Sequence, residues 1–147
     1  MKYSLLLISL LALHVGSAYA EAVPIVGLWK QIDEESEKPR SLIRIRAHDG
    51  RIQGVIEQIF PEPGEPDDPR CDQCSGWRKN KPLVGLQIIS GMRGDHLQYD
   101  GGEILDPETG QIYRCKMELI ADGHRLQVRG YVGLALFGRS QTWERIE

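Results

Sequence analysis

From residue 26 onward, apolar positions come in short runs broken by turn residues, and several runs alternate. In residues 41–47, Ile43, Ile45 and Ala47 share one face, while Arg44 and Arg46 share the other. Residues 111–120 repeat the pattern, with Tyr113, Cys115, Met117 and Leu119 on the apolar side. Period two with one polar face is that of a half-buried strand. The pattern predicts strands over residues 26–32, 41–47, 51–60, 83–92, 96–105, 111–120, 124–132 and 140–146. Asp49-Gly50 and Asp122-Gly123 mark hairpins, because these residues tolerate positive φ. Arg93-Gly94-Asp95 reads as another turn, and residues 106–110 as a loop rich in turn formers. Gly101-Gly102 reads as a bulge within its strand. No amphipathic helix pattern is evident. About eight strands joined mostly by short hairpins fit an antiparallel up-and-down barrel, which closes on itself and leaves no exposed edge. A two-sheet sandwich is the alternative. An eight-stranded barrel can hold one small ligand.

Residues 1–20 have a different pattern. Lys2 supplies a positive charge, residues 5–13 are an apolar run, and Ser17-Ala18-Tyr19-Ala20 ends in small residues. This is the form of a cleaved secretory peptide, with Glu21 as the first mature residue. The run is shorter than the ~20 residues a membrane-spanning helix needs. Export to the periplasm or the outside is expected, where disulfides persist. Residues 21–147 then form one domain.

Composition narrows the choice. With 41% apolar and 27% charged residues, the chain has the make-up of a globular domain. The formal net charge is -3, and removing residues 1–20 takes away one base and no acid. A nucleic-acid binder ordinarily shows a basic face, so nucleic acid is not expected as a partner. The motifs G-x-S-x-G, H-E-x-x-H and the P-loop are missing, so the sequence offers no recognisable catalytic constellation. No cofactor is implied.

Two blocks look familiar. Gly27-Leu28-Trp29 on the first strand resembles the Gly-x-Trp signature of the lipocalin and calycin superfamily. In that superfamily the Trp plugs the closed end of the barrel beneath an Arg of the last strand, and the resemblance implies that role for Trp29 and Arg145. A wider resemblance runs through Gly27-Leu28-Trp29-Lys30, Phe60-Pro61-Glu62-Pro63-Gly64-Glu65-Pro66, Cys71-Asp72-Gln73-Cys74, Gly101-Gly102-Glu103-Ile104-Leu105-Asp106-Pro107, Tyr113-Arg114-Cys115-Lys116, Val128-Arg129-Gly130-Tyr131 and Gly138-Arg139-Ser140-Gln141-Thr142-Trp143. In that order these blocks resemble an exported bacterial family, domain-of-unknown-function family 2147. The resemblance implies a lipocalin-like barrel and no established activity.

Residues 61–82 break the strand pattern with prolines, two cysteines and a shift from acidic to basic. Cys71 and Cys74 read as a local disulfide, a redox pair, or part of a zinc site with Cys115 and a histidine; Cys115 could also pair with either. His48, His96 and His124 each lie beside a turn, where solvated side chains are the rule. The acids Glu62, Glu65, Asp67, Asp68 and Asp72 could meet a hard cation or simply be solvated, and no metal site is assigned. Trp77 among Arg78, Lys79 and Lys81 could meet an anionic group. Residues 132–137 could cap a barrel mouth or be plain core. Candidate ligand-binding side chains are Trp29, Gln58, Phe60, Tyr99, Tyr113, Tyr131 and Phe137. Gln58 enters because period two places it on a face with Ile52, Ile56 and Phe60.

The expectation is therefore an exported barrel that binds a small apolar or amphipathic molecule, such as a fatty acid or lipid. The alternative is a filled barrel that acts as a structural or interaction domain of the cell envelope, with residues 61–82 as its contact surface. A redox enzyme built on Cys71 and Cys74 is the third reading.

Overall fold

The computed structural model describes residues 24–147; the expected secretory peptide lies outside the described residues. Eight strands follow one another in chain order: β1 (Gly27–Ile32), β2 (Pro39–His48), β3 (Arg51–Ile59), β4 (Gln87–Asp95), β5 (Gln98–Leu105), β6 (Ile112–Ile120), β7 (Arg125–Tyr131) and β8 (Arg139–Arg145). Each pairs antiparallel with its neighbour, and β8 returns to β1 to close the barrel. The closing register sets Trp29 opposite Arg145 and Gln31 opposite Trp143. Lys30 and Glu144 pair at 2.8 Å across the same seam.

Turn chemistry sets the lower end. Asp49 and Gly50 both have positive φ, 49° and 70°, and close the β2–β3 hairpin as expected. The β4–β5 turn differs from the reading. It falls at His96-Leu97, and Gly94 lies inside β4. A Cβ at Gly94 would stand 2.0 Å from the Gln98 carbonyl oxygen, so this glycine permits close approach of the paired strand β5 and does not form the turn. Gly102 has the expected bulge beside it: the β5–β6 register shifts between Tyr99 and Gly102. A Cβ there would meet the Ser90 carbonyl oxygen at 2.4 Å.

The core fills the lower half. Trp29, Ile43, Ile45, Ile52, Ile89, Met92, Tyr99, Met117, Leu119 and Leu126 are all buried there. Two short 3₁₀ turns, Gly76–Arg78 and Ala135–Phe137, sit in the connections at the other end. Among the described residues no helix is long and apolar enough to cross a membrane.

Candidate functional site

The four longer connections, residues 33–38, 60–86, 106–111 and 132–138, all leave the barrel at the end opposite the Asp49-Gly50 hairpin. They surround a mouth. Below it lies a cavity of about 810 Å³, bounded by all four connections and by the upper halves of the strands. That size is in the range of small-molecule sites.

The lining is mixed: Ile56, Ile59, Ile88, Leu105 and Val128 supply an aliphatic wall, and charged side chains, among them Asp33, Arg40, Glu65, Glu108 and Arg139, border the same space. A neutral polar group lies among the strand residues of the lining. The Ser41 hydroxyl donates to Gln31 Oε1 at 2.6 Å, and Gln31 Nε2 donates to Gln141 Oε1 at 2.9 Å. Trp143 Nε1 donates to the same oxygen at 3.2 Å. Ser41 is nearly fully buried. The group is neutral and internally hydrogen-bonded, so the barrel holds it without burying an unpaired charge. An apolar wall with a few placed polar atoms is the usual form of a ligand cavity.

The rim is ionic. Arg40 presents both guanidinium nitrogens to Glu65 at 3.2 Å, and Glu62 and Glu108 approach it at 3.7 Å. The hydrogen bonds from Arg40 and from the Glu62 backbone N–H hold the Glu65 carboxyl below its usual range. This clamp ties residues 61–66 to the start of β2. Further along the same connection, Cys71 and Cys74 form a disulfide, and both are buried. Gly110 of the β5–β6 loop presses on this segment, leaving no room for a side chain against the Gln73 carbonyl.

The opposite end is sealed by different means. Trp29 is fully buried, and its indole N–H donates to the Ile25 carbonyl at 2.9 Å. The Arg145 guanidinium carbon lies 4.2 Å from the Trp29 ring centroid. Its nitrogens donate to the backbone carbonyls of Gly123, Val26, Glu147 and Pro24. A Cβ on Gly27 would strike the Glu147 carbonyl oxygen at 2.2 Å, which explains why glycine precedes this Trp by two residues.

The candidate residues separate into three groups. Tyr113, Tyr131 and Phe137 border the cavity. Tyr131 does so from the lip, since its β6 partner Arg114 points outward and approaches its ring at 6.0 Å. Trp29 and Tyr99 lie below the cavity in the packed half. Gln58 and Phe60 do not line it. Against β2 the register shifts, with Ile43 opposite Ile56 but Leu42 opposite Gln58. The extra residue, Glu57, turns outward to Arg44 at 2.8 Å. Gln58 is consequently exposed, and Ile59 takes the inward place opposite Ser41. A bulge reverses the face of every residue beyond it.

Sequence reasoning missed Gln31, Ser41 and Gln141. Each stands two residues from a large inward side chain, Trp29, Ile43 and Trp143 respectively. Period two could have identified them as polar residues on an apolar face. Other candidates are not gathered into a site. Cys115 is a free, buried thiol, and burial pushes its pKa up to about 12. His48, His96 and His124 are exposed at separate turns. Among the described residues no three His, Cys, Asp or Glu side chains gather around a metal-sized point.

A closed eight-stranded up-and-down barrel, plugged below and open above, is a lipocalin-like fold. The chain belongs to the family described as "Uncharacterized protein conserved in bacteria (DUF2147)", whose model matches residues 27–145. It is similar in structure to "Protein HP1028 from the human pathogen Helicobacter pylori belongs to the lipocalin family", with a TM-score of 0.72 at 16% identity over 86% of this chain and 85% of that one. At that identity the likeness is one of fold. Comparison with curated proteins gives no match.

Proposed function

We propose that this chain is an exported binding protein, periplasmic or secreted, whose barrel takes up one small apolar or amphipathic molecule such as a fatty acid or lipid. The cavity of about 810 Å³, where an aliphatic wall and a neutral hydrogen-bonded group meet a charged mouth, supports this reading as an amphipathic site. Ile56, Ile88, Leu105 and Val128 would enclose the apolar body. Tyr113 and the Gln31–Ser41–Gln141 group would meet one uncharged polar function. A charged head would stay at the lip, where Arg139 borders the cavity. The lipocalin-like fold supports the assignment by analogy, since ligand-holding barrels of this kind use the same interior. No catalytic role is assigned.

Titration with a fluorescent fatty-acid probe tests the reading. The native chain should saturate at one probe per barrel. Val128→Trp, which fills the cavity from the β7 wall, should abolish uptake while the chain keeps a cooperative unfolding transition, at a lowered melting temperature because Val128 is buried. An absence of uptake by the native chain, or undiminished uptake by a folded Val128→Trp chain, would contradict it.

A further inference from the structure

The polar group in the barrel wall has a fixed direction, and one atom sets it. The Trp143 indole N–H donates and cannot accept. It lies 3.2 Å from the Gln141 side chain, so the atom that faces it is the oxygen, Oε1. Gln31 reaches the same oxygen at 2.9 Å and must meet it with its nitrogen, Nε2. Gln31 Oε1 is thereby turned toward β2, where it accepts from the buried Ser41 hydroxyl at 2.6 Å. Both amide oxygens are engaged, and that of Gln141 accepts from two donors. Strand register maintains this order, because β1 sets Gln31 opposite Ser41 of β2 and opposite Trp143 of β8.

The amide hydrogens are left over. Each glutamine side chain carries two N–H donors on its nitrogen. Gln31 Nε2 gives one to Gln141, and Gln141 Nε2 has no hydrogen-bond partner among the described residues. Yet the buried unpartnered side-chain atoms among those residues are Arg78 Nε and the Tyr99 hydroxyl. The nitrogen of the half-buried Gln141 therefore stands against open space, and the space that Gln141 borders is the cavity. A guest with only hydrocarbon there would cover these donors without pairing them. The group contains no cation, so a carboxylate beside it would be an unpaired charge withdrawn from water. We propose that the guest carries an uncharged hydrogen-bond acceptor, a carbonyl oxygen of the ketone, ester or amide kind, and that Gln141 Nε2 selects it. This rests on the proposed uptake of a guest and names what that guest presents to the wall.

Paired probes test it on the full chain: a medium-chain methyl ketone and the alkane of the same skeleton, each displacing a neutral phenylnaphthylamine fluorophore. Each probe is compared between the native and Gln141→Leu chains, so its own transfer from water cancels. Loss of one hydrogen bond should weaken the ketone by about five- to tenfold, while the alkane changes by less than about twofold. A merely structural role for Gln141 would weaken both alike. Infrared spectroscopy of the ketone bound to the native chain gives a second measurement should the variant misfold. An accepted hydrogen bond weakens the C=O bond, so the bound carbonyl stretch should lie below its position in alkane solvent. Equal effects of Gln141→Leu on both probes, or a bound carbonyl at its alkane-solvent frequency, would overturn the acceptor proposal and leave guest uptake standing. A native chain that takes up neither the fluorophore nor either probe would overturn both.

Discussion

At the scale of single residues, Arg145 bears the largest structural role. It stacks on Trp29 and caps four backbone carbonyls that converge from the segment before β1, the segment after β8 and the β6–β7 turn. Hydrogen bonds to a charged group contribute more than neutral ones, so Arg145→Ala should cost about 2–3 kcal/mol in urea unfolding. Arg145→Lys should recover only part of this, since an ammonium cannot span several carbonyls as a planar fork does. Loss of less than about 0.5 kcal/mol, typical of an ordinary surface position, would contradict the role. Glu65 gives the pH dependence. Its carboxyl titrates below the usual value because Arg40 holds the charged form. The clamp is therefore complete above the usual carboxylate range and weakens as pH falls through the lowered value. Amide exchange in residues 61–66, corrected for its intrinsic pH dependence, should rise in acid. Glu65→Gln should show the raised exchange at neutral pH already. Equal protection in both chains would remove the clamp from the account. Trp29 and Arg145 were legible by resemblance, whereas Gln31, Ser41 and Gln141 were passed over because polar residues in strands are usually outward.

At the scale of elements, all eight strands were legible because alternation is a local property of each strand. The limits were less so. β4 begins at Gln87, later than expected, because Leu86 N–H bonds to the Leu83 carbonyl and turns the chain first. The β3 bulge was not legible at all. Its evidence lies in the pairing with β2, and period two within β3 points the wrong way for Gln58. The bulge makes a sharp prediction. Gln58→Ala should leave probe uptake unchanged and stability within about 0.5 kcal/mol, as expected of an exposed residue. Ile59→Trp, one position on, should block uptake. If Gln58→Ala weakens uptake and Ile59→Trp does not, the register described for β3 is incorrect. The 132–137 segment shows the same limit in another form. Its composition suits either core or cap, and only Arg129, reaching from the neighbouring strand, decides that it faces solvent.

At the scale of the whole molecule, the barrel is divided. Bulky side chains from every strand meet in the lower half, while the upper half stays open beneath four connections. Hollowness was not legible, because it depends on how side chains from opposite walls meet across the interior, and no single strand records that sum. On the proposed function, this division gives each end a distinct role: stability below, and access above. The central claim is that the open half holds a guest. Native mass spectrometry of protein taken gently from its producing cells tests this most directly. The account predicts one small-molecule mass per chain that is lost on denaturation and is missing from Val128→Trp. Bare chain in every native preparation, together with refusal of added fatty acid, would contradict it.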